Sequence, residues 1–236
     1  MIPLHDDNPT SIKPYVTIAL IASCTAVFLW QLSLGNAAER VLYALGVIPS
    51  VLLKVNTLDP ALALVPPAAT ILTSMFLHGG WMHLIGNMLY LWIFGNNVED
   101  AMGHVRFTLF YMLCGIAAVF AQVLPDPEST TPMIGASGAI SGVLGAYLLL
   151  YPHARVLVAI PFGFYIHTAR LRAVWVLGFW FVMQLLSSVL AGGQQGGVAF
   201  RAHLGGFIVG ALLIPFFKRK NVRLFHAGRR NPRLFD

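Results

Sequence analysis

Three small groups of side chains in this 236-residue chain have the types and spacing for acyl-transfer chemistry. The first is Pro132-Met133-Ile134-Gly135-Ala136-Ser137-Gly138-Ala139-Ile140-Ser141-Gly142, where a polar loop becomes an apolar helix with a serine at the joint. Most serines at helix starts only cap an orphan backbone N–H. Here Gly135 and Gly138 strip bulk from either side of Ser137, and a helix N-terminus favours the negative charge that develops when a hydroxyl attacks a carbonyl. The second is His203 in Ala202-His203-Leu204-Gly205-Gly206, an imidazole able to take a hydroxyl proton and return it to a leaving amine. The third is His83 with Asn87, four apart and therefore on one helical face. Both can donate to an oxyanion, and the backbone N–H of Ser137 is a further candidate donor.

The elements that must hold these groups are set by composition. An apolar fraction of 57%, a charged fraction of 10% and a mean hydropathy of +0.73 are those of an integral membrane protein. Six apolar stretches, roughly 15–34, 82–98, 106–124, 137–151, 173–192 and 198–217, are candidate spans. A lone segment in lipid must satisfy its own backbone, so all six are expected to be helices and the fold to be all-α. The chain then divides into an N-terminal segment 1–14, a six-span domain 15–217 and a basic tail 218–236. The first loop, 35–81, is apolar in part but broken by Pro49 and Pro66-Pro67, which suits an interfacial or re-entrant segment. The opening Met1 to Pro9 is polar and broken by prolines, so no cleavable signal peptide is predicted. Cys24 and Cys114 fall in apolar stretches and read as small buried hydrophobes.

With a cytoplasmic N-terminus, every basic residue except Arg40, Lys54 and Arg201 falls on the inner side. The positive-inside rule therefore predicts both termini in the cytoplasm, with 35–81, 125–136 and 193–197 outside; the expected location is the cell membrane. The net charge of +6 reports topology, and no nucleic-acid partner is expected. In this arrangement Ser137, His83 and His203 share one side of the membrane. The span from Ser137 to Tyr151 is about 22 Å long against about 30 Å of hydrocarbon, which puts Ser137 roughly 8 Å below the outer surface. His203 lies roughly 7 Å down by the same rise. Non-helical backbone at that depth needs protein or water beside it, so water is expected to reach Ser137.

His203, Gly206 and Gly210 share one helical face, and Ser137, Ser141 and Gly145 line another, so two small-residue surfaces can meet. Asp59 and Asp126 are in outer loops, and Glu99 and Asp100 are about 24 Å away along their helix, so the residues point to a Ser–His dyad without an acid. There is no His-Glu-x-x-His motif and no mid-span aspartate pair. No metal and no cofactor are expected. His78, in the turn before His83, reads as a brace for this region.

Gly-Ala-Ser-Gly at 135–138, His-x-x-x-Asn at 83–87 and Ala-His-x-x-Gly at 202–206, on the second, fourth and sixth of six spans, resemble the rhomboid family of intramembrane serine proteases. The resemblance implies Ser137 as nucleophile, His203 as general base, and Ser137 N–H, His83 and Asn87 as the oxyanion hole. It further implies a six-helix bundle with a membrane-associated first loop, a substrate-binding role for Gly135, and transmembrane protein substrates cut near their outer ends. Two positions depart from the family pattern. A Trp-Arg pair in the first loop is replaced by Pro66-Pro67-Ala68-Ala69, and Ser141 stands where several members place an aromatic against the histidine. The alternatives are an inactive rhomboid-like protein that binds or chaperones membrane helices, and a small transporter. The Gly-rich segment 192–197 is expected to act as a lid over Ser137. Substrate sequence and oligomeric state are not encoded in any motif.

Overall fold

The computed structural model describes residues 1–163, 165–190 and 199–226. Ten α-helices, three short 3₁₀ turns and three strands occur among these residues. The helices are α1 (Tyr15–Ser33), α2 (Ala38–Leu45), α3 (Pro49–Leu52), α4 (Thr70–Thr73), α5 (Trp81–Tyr90), α6 (Asn96–Met102), α7 (His104–Val123), α8 (Ser137–Leu150), α9 (Ala173–Leu190) and α10 (Phe200–Phe217). A π-helical turn, Leu91–Gly95, joins α5 to α6 without a break. Helices α1, α7, α9 and α10 are long and apolar enough to cross a membrane. Helix α8 is apolar but has only 14 residues.

Mutual exclusion of bulk sets the packing of the central helices. A Cβ on Gly206 would run into the carbonyl oxygen of Gly138, one on Gly210 into that of Gly142, and one on Gly145 into that of Phe207. Helices α8 and α10 thus touch backbone to backbone, the contact that small residues permit in lipid. Helix α7 closes the other side of α8, with Cys114 against Gly142 and Ala118 against Gly138. Both cysteines are buried and free.

The protein is mostly helical, and the all-α expectation is corrected at one end. Strands β1 (Ile2–Asp6), β2 (Arg155–Phe162) and β3 (Tyr165–Arg172) form an antiparallel sheet in the order β1-β2-β3. Val156 and Val158 are fully buried by it, and Ala169 and Leu171 point the same way from β3. This period-2 alternation is a strand signal, hidden when the arginines of 155–172 are read only as topology markers. The segment 1–14 is built into the bundle as well. Asp6 Oδ2 accepts from Tyr147 Oη at 2.7 Å and from Asn97 Nδ2 at 3.0 Å, and Asn8 Nδ2 donates to Asn97 Oδ1. At the same end Asp100 accepts from Ser11 and pairs with Arg219 of the tail.

Glu99, fully buried, closes the start of α1. Its two carboxylate oxygens accept from the backbone N–H groups of Val16 and Thr17, and from Thr17 Oγ1 at 2.7 Å. That placement answers the orphan donors and the positive end of a helix. The first loop is tied down without a Trp-Arg pair. Val47 and Met133 exchange two backbone hydrogen bonds, Ser50 N–H donates to Ser129 O, and Thr73 Oγ1 donates to Leu45 O.

Candidate active site

Ser137 is the first residue of α8, and Ala136 occupies the N-cap position with no side-chain cap bond. The Ser137 hydroxyl is therefore not spent on the role that most helix-start serines perform. It lies 2.8 Å from His203 Nε2. The close approach of α8 and α10 brings the two groups together, because His203 sits one turn before Gly206 on the face that meets Gly138. Ser141, one turn below Ser137, is buried and donates back to the Ser137 carbonyl at 2.6 Å.

The loop entering α8 is shaped by Gly135. Its φ of +115° is rarely adopted by a side-chain-bearing residue, and a Cβ there would lie 2.7 Å from His83 Nε2. Glycine alone lets this backbone press against the His83 ring, with Asn87 Nδ2 on the same side. The Gly135 N–H donates to Ser74 O at 2.9 Å, which anchors the loop to the segment preceding α5. His83, Asn87, Ser137 and His203 all line one cavity of about 860 Å³, with Trp81 and Met82 exposed at its edge.

A chain of hydrogen bonds sets Asn87. His78 Nδ1 lies 3.2 Å from Phe76 O and His78 Nε2 lies 3.1 Å from Asn87 Nδ2. A carbonyl can only accept, so Nδ1 carries the proton and Nε2 accepts from the Asn87 amide. The peptide of His78 is held in turn by Gln31 of α1, whose Oε1 accepts from His78 N–H and whose Nε2 donates to His78 O. His78 thus braces Asn87, and one Asn87 N–H is left for a ligand.

Sequence reasoning passed over the two residues that contact His203 from α9. Gln184 Oε1 lies 2.7 Å from His203 Nδ1, and the ring of Trp180 lies 6.0 Å from the imidazole at 37°. Trp180 also stacks on Phe207, one turn beyond His203. The available signal was an amide inside an apolar span, where polar groups are costly and seldom idle. Ala173, Leu177, Trp180 and Gln184 share one face of helix α9, and of its residues only Ala173, Val176 and Leu177 are buried. The expected lid, 192–197, lies outside the described residues, as does the tail from 227 onward.

Comparison with known proteins places the chain in a family. The chain is 33% identical over 177 residues to the Saccharomyces cerevisiae "Rhomboid protein 1, mitochondrial", covering 68% of this chain and 46% of that one. It is 31% identical over 214 residues to the Arabidopsis thaliana "RHOMBOID-like protein 1", covering 90% of this chain and 50% of the relative. Over 143 residues it is 36% identical to the Bacillus subtilis "Rhomboid protease GluP", covering 61% and 25%. In each case the match spans half or less of the relative's length. A rhomboid domain matches residues 67–220, a stretch that holds Ser137, His203, His83 and Asn87, and with it the chain belongs to the rhomboid family of membrane proteins.

Proposed function

We propose that this protein is an intramembrane serine endopeptidase that hydrolyses peptide bonds in or near transmembrane segments of other membrane proteins. The observation that carries the reading is the 2.8 Å approach of Ser137 Oγ to His203 Nε2 inside a cavity that also holds His83 and Asn87. His203 Nε2 takes the hydroxyl proton as Ser137 Oγ bonds to the scissile carbonyl carbon. The oxygen that becomes negative is met by Ser137 N–H, His83 and Asn87. Collapse breaks the C–N bond, His203 gives its proton to the leaving amine, and an ester on Ser137 remains. Water then adds to that ester, His203 taking its proton and returning it to Ser137 Oγ as the acid product leaves. Gly135 holds the loop against which the substrate strand lies.

The membrane arrangement is part of the same reading. Helices α1, α7, α9 and α10 are joined as spans by α8 and by the continuous α5–α6 helix, giving six. The sheet, segment 1–14 and residues 218–226 gather at the end of α8 opposite Ser137, and they carry Lys13, Arg155, Arg170, Arg172, Lys218, Arg219, Lys220 and Arg223. That asymmetry is the basis for the reading that both termini are cytoplasmic. Some relatives are named mitochondrial or chloroplastic, and an epitope-accessibility assay on each terminus in intact cells tests the orientation directly.

A labelled serine-reactive phosphonate and a single-span substrate, offered to the wild type and to Ser137→Ala and His203→Ala in membranes, test the chemistry. Labelling and cleavage by the wild type, lost in both variants while each remains folded, is the expected outcome. Helix capture without labelling would make this a binding or chaperone member of the family instead.

A further inference from the structure

We infer that Gln184 is a positioning residue that fixes His203 in the one tautomer able to accept the Ser137 proton. A neutral imidazole carries its single proton on either nitrogen, and only the form protonated on Nδ1 presents a lone pair from Nε2. Nothing on α10 makes that choice, and Ser141, at the place one turn after Ser137, donates to backbone and does not touch the ring. The choice is made from α9. Gln184 Oε1, an atom that can only accept, sits 2.7 Å from Nδ1 and so requires the hydrogen there. Nε2 is then a bare acceptor, 2.8 Å from the Ser137 hydroxyl.

The chemistry of an amide suits this depth. A carboxylate would make the same contact and hold the imidazolium more strongly, yet a charge in an apolar span is expensive when no proton is in transit. An amide oxygen selects the tautomer at no such cost and never takes the proton itself. Trp180, one turn before Gln184, restrains the same ring by lying against it while resting on Phe207. The imidazole is therefore held through an edge by Gln184 and flanked by the tilted ring of Trp180, both from one helix.

The kinetic consequence rests on the proteolytic reading; the tautomer does not. Gln184→Met keeps the volume and removes the acceptor, and Gln184→Glu keeps an acceptor oxygen. In the full chain, kcat for a single-span substrate is expected to fall about ten- to a hundred-fold in Gln184→Met with KM within about twofold, and the phosphonate labelling rate to fall in proportion. Gln184→Glu is expected to recover most of that loss. Wild-type kcat in Gln184→Met, or an equal loss in both variants, would overturn the assignment. Independently of any turnover, ¹⁵N spectra of the His203 ring, identified by difference against His203→Asn, should show a protonated Nδ1 in the wild type and a tautomer mixture in Gln184→Met. Identical ring spectra in the two would overturn it even if the wild type cleaves nothing, whereas a normal tautomer response with no labelling of Ser137 would defeat the protease reading alone.

Discussion

An oxyanion site made from an imidazole, a side-chain amide and one peptide N–H is redundant, and its donors should differ in what they lose. Asn87 commits one of its two N–H groups to His78, so it reaches the cavity already oriented. His83 is held by contact with the Gly135 backbone and by the Gly79 N–H that approaches its Nδ1 at 3.3 Å. Removing one such donor typically costs about 100- to 1,000-fold in turnover. His83→Ala and Asn87→Ala are expected to fall in that range while keeping measurable activity, read as kcat on a slowly cleaved single-span substrate. Full turnover in both would move the oxyanion to another face of the cavity. At this scale the convergence of the serine, both histidines and the asparagine on one cavity could be read from residue type and spacing, because polar groups are costly in apolar helices. Gln184 and Gln31 could not be paired with their partners that way. They meet residues 19 and 47 positions distant through a side-chain geometry that only the packed helices define.

Helices α8 and α10 behave as one unit, because the glycines between them leave no room for adjustment. A single methyl on Gly206, one turn from His203, meets the backbone of Gly138, the residue next to Ser137, and overpacking of a tight interface costs roughly 1–3 kcal/mol. A misplacement of about 1 Å at reacting atoms costs on the order of 100-fold in rate. Gly206→Ala is therefore expected to lower both thermal stability in detergent and turnover, whereas Gly178→Ala on α9, with nothing within 4 Å of the new methyl, should change neither. Equal behaviour of the two variants would refute the packing argument. The small-residue faces that produce this unit were legible from spacing, i, i+3, i+7 for His203, Gly206 and Gly210 and i, i+4, i+8 for Ser137, Ser141 and Gly145. The β2–β3 hairpin was not, since its alternation is short, ends in the Gly163 turn, and gains its third strand from residues 2–6 at the far end of the chain.

Across the whole molecule, the end remote from Ser137 is closed by a buried acid. Burial pushes the Asp6 carboxyl up to about 7 from an ordinary 3.8, against the opposing hydrogen bond from Tyr147. The folded protein thus holds a proton that the unfolded chain releases between about pH 4 and 7, and it binds more protons across that window. The associated stability is complete below about pH 4, is lost as pH rises through about 7, and is constant above. Thermal unfolding in detergent should accordingly give a lower midpoint at pH 8 than at pH 5, and Asp6→Asn should remove most of that difference. Parallel pH profiles for the two proteins would show that Asp6 does not titrate in this way. Asp6 also stands 141 residues ahead of Tyr147. At about 5–20 residues per second of synthesis, a ribosome needs roughly seven to thirty seconds to make the partner that this strand requires. For that interval the first strand has no sheet to join and α1 is already in the membrane. The far end of the protein can lock only after the serine-bearing helix has been delivered, so a nascent chain halted before residue 155 leaves Ile2 to Asp6 as an open edge for chaperones to find.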